Sequence, residues 1–254
     1  MPIDVAVEKG ICTIVINRPE RLNALDAEHY HALAEAWCRV RDDAEIRVAV
    51  VTGAGDRSFT AGADIKSVLT DPPGYDEMWL TQRDQRLDHG IEVWKPIIAA
   101  INGYCLGGGM TLMLATDIRI ASENATFSFA EVKRGLIGVT SHAYRQLPHA
   151  IAMEMFLTGD SIDARSAAHW GLVNKVVPQS QLMEAAIDYA RHISLNAPLA
   201  VQAAKELALR SRDADLATAL RMEQMFNRVL MATEDGKEGP AAFAEKRAPQ
   251  FRGK

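Results

Sequence analysis

Residues 97–115 constrain the fold of this chain more than any other stretch. Ile97–Ile101 (IIAAI) is an unbroken apolar run of strand length, and Met110–Ala115 is an apolar helical segment. Between them lies an expected turn, residues 102–109, ending in three consecutive glycines, Gly107, Gly108 and Gly109. Three glycines at a helix start carry a cost in conformational entropy, which makes sense where the backbone must come close to something. The first N–H groups of a helix lack partners inside it and carry partial positive charge. They can receive an anion or a developing oxyanion. Equally, the glycines can let two elements pack closely, and spacing alone leaves both readings open. The run matches neither GxGxxG with an acidic residue downstream nor GxxxxGK[ST], which argues against a nucleotide phosphate site.

The rest of the chain fits layered α/β packing. Residues 3–17 read as a hairpin or two short strands around the β-branched run Ile11–Ile16. Asp26 is placed to cap a helix over 27–41, with Leu33, Trp37 and Val40 at helical spacing. Residues 47–52 (RVAVVT) form a buried strand, and 58–66 a small-residue loop entering a short helix. A long polar helix is expected over 75–94, broken at Lys95-Pro96, then strands at 117–121 and 126–129. From His149 the pattern is nearly all helical, interrupted by a strand at 171–177, with helices at 181–195, 198–210, 216–231 and a charged closing helix at 238–247. The expectation is an α/β core over 1–177 and a helical region over 178–254 of the same overall domain.

A chain of 254 residues buries a large core without staples. Its net charge of −5 gives no basic footprint for nucleic acid and no reason to expect a membrane partner. Cys12, Cys38 and Cys105 are odd in number and without metal-ligand spacing. No metal, no disulfide framework and a cytoplasmic location are therefore expected. No leader-like or 18-residue apolar stretch is found.

Few residues look chemical on their own. Ala61-Gly62-Ala63-Asp64 is a second small-residue turn, where the Ala63 N–H can complete a two-donor hole. Glu131 follows an aromatic strand. Partial burial there would raise its pKa toward that of a usable base, whereas a solvated Glu131 would pair with Lys133 or Arg134. His142 and Tyr144 are candidate pocket groups, and Asp117 reads as a cap or structural ion pair. No Gly-x-Ser-x-Gly elbow is present.

Taken together, Asn17-Arg18-Pro19 through Asn23-Ala24-Leu25, Phe59 through Ile65, Ala99 through Gly109, Asp117-Ile118, Leu157-Thr158-Gly159 and Gly171-Leu172-Val173 resemble the enoyl-CoA hydratase/isomerase (crotonase) family. The order and spacing match over nearly the whole chain. The resemblance implies an α/β spiral of ββα units with a C-terminal helical trimerisation region, and assembly as a homotrimer or a hexamer built as a dimer of trimers. It implies an acyl-CoA substrate, CoA being part of the substrate and no separate cofactor being needed, in fatty-acid-type metabolism. It places the oxyanion hole at the N–H groups of Ala63 and Gly108, and the base at Glu131. CoA contacts fall by resemblance on Asn23, Ala24, Leu25, Ala61, Ala63, Asp64, Ile65, Lys66, Gly107 and Gly108, with Phe243 and Lys246 on the closing helix. Met78 and Trp79, with Gln82, His142 and Tyr144, are expected around the acyl group.

The chain departs from the pattern at one informative position. Typical hydratases of the family carry a second glutamate two residues after the glycine run, and here that residue is Thr111. A hydroxyl orients water but is no carboxylate base. A single glutamate resembles the family's double-bond isomerases. The loop Gly135–Arg145 is one residue longer than the usual Pro-Gly-Gly-like turn. Hydration or isomerisation with Glu131 as base and Thr111 orienting water or substrate is the leading expectation. The rivals are thioester hydrolysis or decarboxylation using His142 or Tyr144, and a non-catalytic acyl-CoA-binding subunit.

Overall fold

The computed structural model describes residues 1–70, 86–138 and 140–254. The chain begins with an antiparallel hairpin, β1 (Ile3–Glu8) and β2 (Ile11–Ile16), followed by helix α1 (Ala27–Asp42). A strand–strand–helix unit then recurs. The first is β3 (Val48–Gly53), β4 (Ser58–Thr60) and α2 (Ile65–Thr70). The second is β5 (Ile97–Ile101), β6 (Tyr104–Leu106) and α3 (Gly108–Leu114). The third is β7 (Ile118–Ser122) and β8 (Thr126–Ser128), followed by a 3-10 turn over Ala130–Arg134, α4 (Thr140–Tyr144) and α5 (His149–Thr158). Next come β9 (Ile162–Asp163), α6 (Ala164–His169) and β10 (Lys175–Val177). Four helices close the chain: α7 (Leu182–Ser194), α8 (Pro198–Arg210), α9 (Leu216–Ala232) and α10 (Glu234–Ala244).

The first strands of the units stack in a six-stranded sheet ordered β1-β2-β3-β5-β7-β10, and the second strands in a four-stranded sheet ordered β4-β6-β8-β9. Pairing is parallel from β2 through β7 to β10 and from β4 through β8. Each unit therefore makes one turn of a spiral. The sequence explains why β3 and β5 are apolar throughout: both faces of the large sheet are covered. Ala49, Val51, Ile97, Ala99 and Ile101 face the spiral interior with Trp37, Phe59 and Phe127. The alternate residues Val48, Val50, Ile98, Ala100 and Ile120 face Leu182, Ala186 and Ala190 of α7. Helix α7 thus belongs to the packing of the core although it lies beyond residue 178.

Asparagines tie successive turns. Asn102 Nδ2 donates to Gly53 O (2.9 Å) and Gly55 O (2.8 Å). Asn23 Nδ2 donates to Ser58 O (2.7 Å) and Ala54 O (3.0 Å). Asp26 caps α1, its carboxylate accepting from His29 N. Asp117 accepts from Ile97 N and pairs with Lys205, both at 2.8 Å, so it is the structural ion pair its position suggested.

Four expectations need correction. The expected turn over 102–109 contains strand β6, because Tyr104–Leu106 pairs with β4 and β8. Of the helix expected over 75–94, residues 75–85 lie outside the described residues, and 86–94 is not helical. There Arg86 and His89 close a tight turn through reciprocal backbone hydrogen bonds. The strand expected over 171–177 shrinks to Lys175–Val177, since Gly171 is left-handed (φ 74°) and turns the chain. The closing helix starts at Glu234 rather than 238, because the Thr233 hydroxyl caps it by accepting from Gly236 N (2.9 Å). No helix among the described residues is long and apolar enough to cross a membrane.

Candidate active site

The site forms where the first and second turns of the spiral touch, with the third turn bringing Glu131 alongside. The loop after β4 is clamped to the loop before α1: Leu25 N donates to Gly62 O and Asp64 N to Leu25 O, both at 2.8 Å. This fixes the peptide planes on either side of Ala63 and leaves its own N–H out of the bridge. Gly62 has φ 84°, and a Cβ on it would lie 2.6 Å from Gly108 N and 2.7 Å from Leu106 O. Only glycine allows that approach. Gly108 is the first residue of α3, so its N–H has no partner within the helix. A Cβ on Gly108 would lie 3.3 Å from Ala63 N. The two N–H groups are therefore neighbours, and neither meets an acceptor among the described residues.

Glu131 stands beside them. Strand β8 delivers it through Phe129, which is buried edge-on to Phe156 with ring centroids 5.0 Å apart. A Cβ on Gly107 would be 3.1 Å from Glu131 Oε1, and one on Gly138 only 2.5 Å. The carboxylate thus rests in a slot between two glycines. Its Oε2 is buried and accepts no hydrogen bond. The nearby cations are engaged elsewhere, Lys133 with Asp160 and Arg134 with the Ala130 carbonyl. The solvated, paired Glu131 is therefore not what the fold produces. Thr111, one helical turn after Gly107, is buried, and its N–H closes onto Gly107 O (3.2 Å).

A narrow cavity opens from Gly108 along α1. Its wall includes Leu25, Leu33, Trp37 and Leu112, with Tyr30, Arg86 and Asp88 as the polar members. Tyr30 Oη would be 3.2 Å from a Cβ on Gly108, next to the paired N–H groups. Tyr30, Arg86 and Gly138 were not singled out in the sequence. Tyr30 lies on a helix face whose orientation only packing reveals, and Arg86 reaches the cavity through a turn where a helix was expected.

Other sequence candidates are distributed as follows. Asn23 is fully buried and its amide is engaged with backbone, so it shapes the loop rather than offering a ligand contact. Ala24 O accepts from Arg18 Nη1 (3.2 Å), and the same guanidinium holds Asp64 (3.0 Å). Ala61 N donates to Leu22 O. Ile65 and Lys66 are exposed on the outer side of this loop. Met78, Trp79 and Gln82 lie outside the described residues. Phe243 is 87 % exposed, and Lys246 is exposed with it at the end of α10, so little of this chain touches either.

His142 and Tyr144 need correction. His142 lines a separate cavity of ≈ 750 Å³ with Leu114, Thr116, Asp117, Arg119 and Lys205. That cavity adjoins the C-terminal end of α3, roughly 10 Å of helix away from the Gly108 N–H. Tyr144 is half-exposed and its Oη lies 3.2 Å from His149 Nδ1.

The family model described as Enoyl-CoA hydratase/isomerase matches residues 6–254. The chain belongs to the enoyl-CoA hydratase/isomerase family. It is 46 % identical over 260 aligned positions to (E)-benzylidenesuccinyl-CoA hydratase of Thauera aromatica, covering all of both chains. It is 38 % identical to carnitinyl-CoA dehydratase of Proteus mirabilis (strain HI4320), covering 96 % of each. The solved enoyl-CoA hydratase of Mycobacterium tuberculosis H37Rv superposes with a TM-score of 0.92 at 35 % identity, over 100 % of this chain and 99 % of that one. The crotonase spiral with its C-terminal helices is thus the fold of this enzyme family member.

Proposed function

We propose that this enzyme catalyses the reversible addition of water to the conjugated double bond of a 2-enoyl-CoA thioester. One observation carries the reading: a buried carboxylate oxygen of Glu131 without a partner, brought by the fold close to the two unengaged N–H groups of Ala63 and Gly108. The thioester oxygen accepts from both N–H groups. Glu131 takes a proton from water as that water attacks the β-carbon, and negative charge moves onto the thioester oxygen. The two donors are strongest toward the oxygen in that state, each contributing on the order of 3 kcal/mol. The Glu131 carboxyl then gives that proton to the α-carbon, which restores the thioester and returns Glu131 to its carboxylate form. Binding energy from the CoA moiety orients the reacting carbons. Support comes also from the relatives named as a hydratase and a dehydratase of CoA thioesters.

We assign Ala61, Ala63, Asp64, Ile65 and Lys66 to the CoA side of the site and Thr111 to orienting water. The reaction as written calls for no metal or redox cofactor. Assembly as a homotrimer or dimer of trimers is part of the same reading. It is supported by apolar side chains exposed on the closing helices, among them Leu216 (75 %), Val229 (67 %) and Phe243 (87 %). A cytoplasmic location accords with three free thiols, and the natural setting is fatty-acid-type acyl-CoA metabolism. The second reading, double-bond isomerisation, is favoured by Thr111 standing where a second carboxylate would sit. A panel of 2-enoyl, 3-enoyl and β-hydroxyacyl CoA esters followed by mass spectrometry separates them. Gain or loss of one water supports hydration. A spectral shift at constant mass means isomerisation, and free CoA means hydrolysis.

A further inference from the structure

The hydration reading leaves the polar wall of the cavity beside Gly108 without a task. Arg86 is part-sheltered there, its side chain 29 % exposed. Its Nε donates to Asp88 (3.2 Å), and its guanidinium carbon lies 5.0 Å from the centre of the Tyr30 ring. Asp88 is almost buried, and its second oxygen is 2.8 Å from His89 Nδ1. Both Nη groups of Arg86 remain without a partner among the described residues. The cavity wall is otherwise mostly apolar, with Leu25, Leu33, Ala34, Trp37 and Leu112. Asp88 thus fixes the guanidinium through its Nε edge and leaves the Nη edge for something else. The far side of Tyr30 carries the hydroxyl beside Gly108, so one tyrosine ring spans the distance from the paired N–H groups to the guanidinium.

We propose that Arg86, with Tyr30 beside it, binds a carboxylate carried by the acyl group, so that the preferred substrate is the CoA monothioester of a dicarboxylic acid. This rests on the thioester being seated at Ala63 and Gly108. A planar fork of donors matches a carboxylate in bidentate fashion. Apolar surroundings strengthen the attraction relative to open water. A cationic acyl end would be repelled by the guanidinium, and a purely hydrocarbon one would offer its Nη groups no acceptor.

The test uses two 2-enoyl-CoA esters identical except that one ends in a free carboxylate and the other in its methyl ester. Wild-type protein is expected to favour the acid by about a hundredfold in kcat/KM. Arg86→Met is expected to bring the acid-to-ester ratio close to one, Arg86→Lys to leave it intermediate, and Tyr30→Phe to lower it less than Arg86→Met. Binding of the same two esters to Glu131→Gln, measured by calorimetry, gives the ratio where no turnover occurs. Equal wild-type preference for the two esters in both measurements overturns the proposal, as does a ratio unchanged in folded Arg86→Met. Failure of the hydration reading looks different: neither ester gains water, while the binding preference for the acid persists.

Discussion

Glu131 is held by shape rather than by hydrogen bonds, and that makes its neighbours informative. A methyl group at Gly138 would come within 2.5 Å of Oε1, and Gly138 does not have a positive φ. Gly138→Ala is expected to push the carboxylate aside and lower kcat by roughly tenfold to a hundredfold, with little change in the thermal midpoint; steady-state kinetics and a melting curve check both. Glu131→Gln should lower kcat by at least about a hundredfold while an acyl-CoA still binds, as read by calorimetry. Wild-type turnover in that variant would remove Glu131 from the chemistry. Gly62→Ala combines a positive φ with a 2.6 Å approach to backbone. It should lower stability by about 2 kcal/mol or more and separate the two N–H groups, visible as a lower urea midpoint with lost activity.

The closing helix is anchored by its own tail. Asp235 accepts from Arg252 N and Gly253 N, both at 2.7 Å. Glu238 accepts from Arg247 through both Nη groups and from Gln250 N (2.8 Å). Arg47 then ties the tail to the core, donating to Ser194 O and Phe251 O at 2.8 Å each. The hydrogen bonds from Arg247, then that from Gln250, hold the Glu238 carboxyl down at about 2. A depressed folded pKa stabilises above the unfolded value of about 4.3 and is lost as pH falls through the folded one. Protection of the Gln250 amide, corrected for intrinsic exchange, should therefore decline between about pH 5 and pH 2. In Glu238→Gln it should already be low and nearly flat. An unchanged pH profile in that variant would mean the tail is held by other contacts.

At the scale of the molecule, the spiral divides its surface into a core that is closed and a helical end that is not. Leu216 and Leu220 occupy one side of α9, and Met225 and Val229 the other, each of them at least 49 % exposed. Such apolar exposure on one element marks an association surface. Leu216→Glu with Leu220→Glu is expected to lower the sedimenting mass below that of the wild-type assembly while the circular dichroism of the fold persists. Wild-type protein that sediments as a monomer would refute the proposed assembly.

How much of this was legible beforehand depends on how local the cause is. Val48–Gly53 and Ile97–Ile101 had to be buried strands, because their apolar runs leave no polar face for water. The cap at Asp26 was readable because one side chain and one N–H three residues on suffice. The glycine run at 107–109 could be recognised, but not which of its two readings held. The close approach of Gly62 to Gly108 N joins residues on different turns of the spiral. The extent of the closing helix and the fate of residues 86–94 also escaped the sequence, since the first is set by a hydroxyl cap at Thr233 and the second by a turn at Arg86. By itself the sequence determined the family and, through that resemblance, the expectation of a spiral and of Glu131, Ala63 and Gly108 as a set. Tertiary structure alone decided that Glu131 would have a buried, unpartnered oxygen, that His142 would face the far end of α3, and that Tyr30 and Arg86 would line the cavity. The physical reason is the same each time: periodicity and short motifs report what a residue needs from its neighbours in sequence. Which groups meet across turns of the chain is fixed only when the whole core packs.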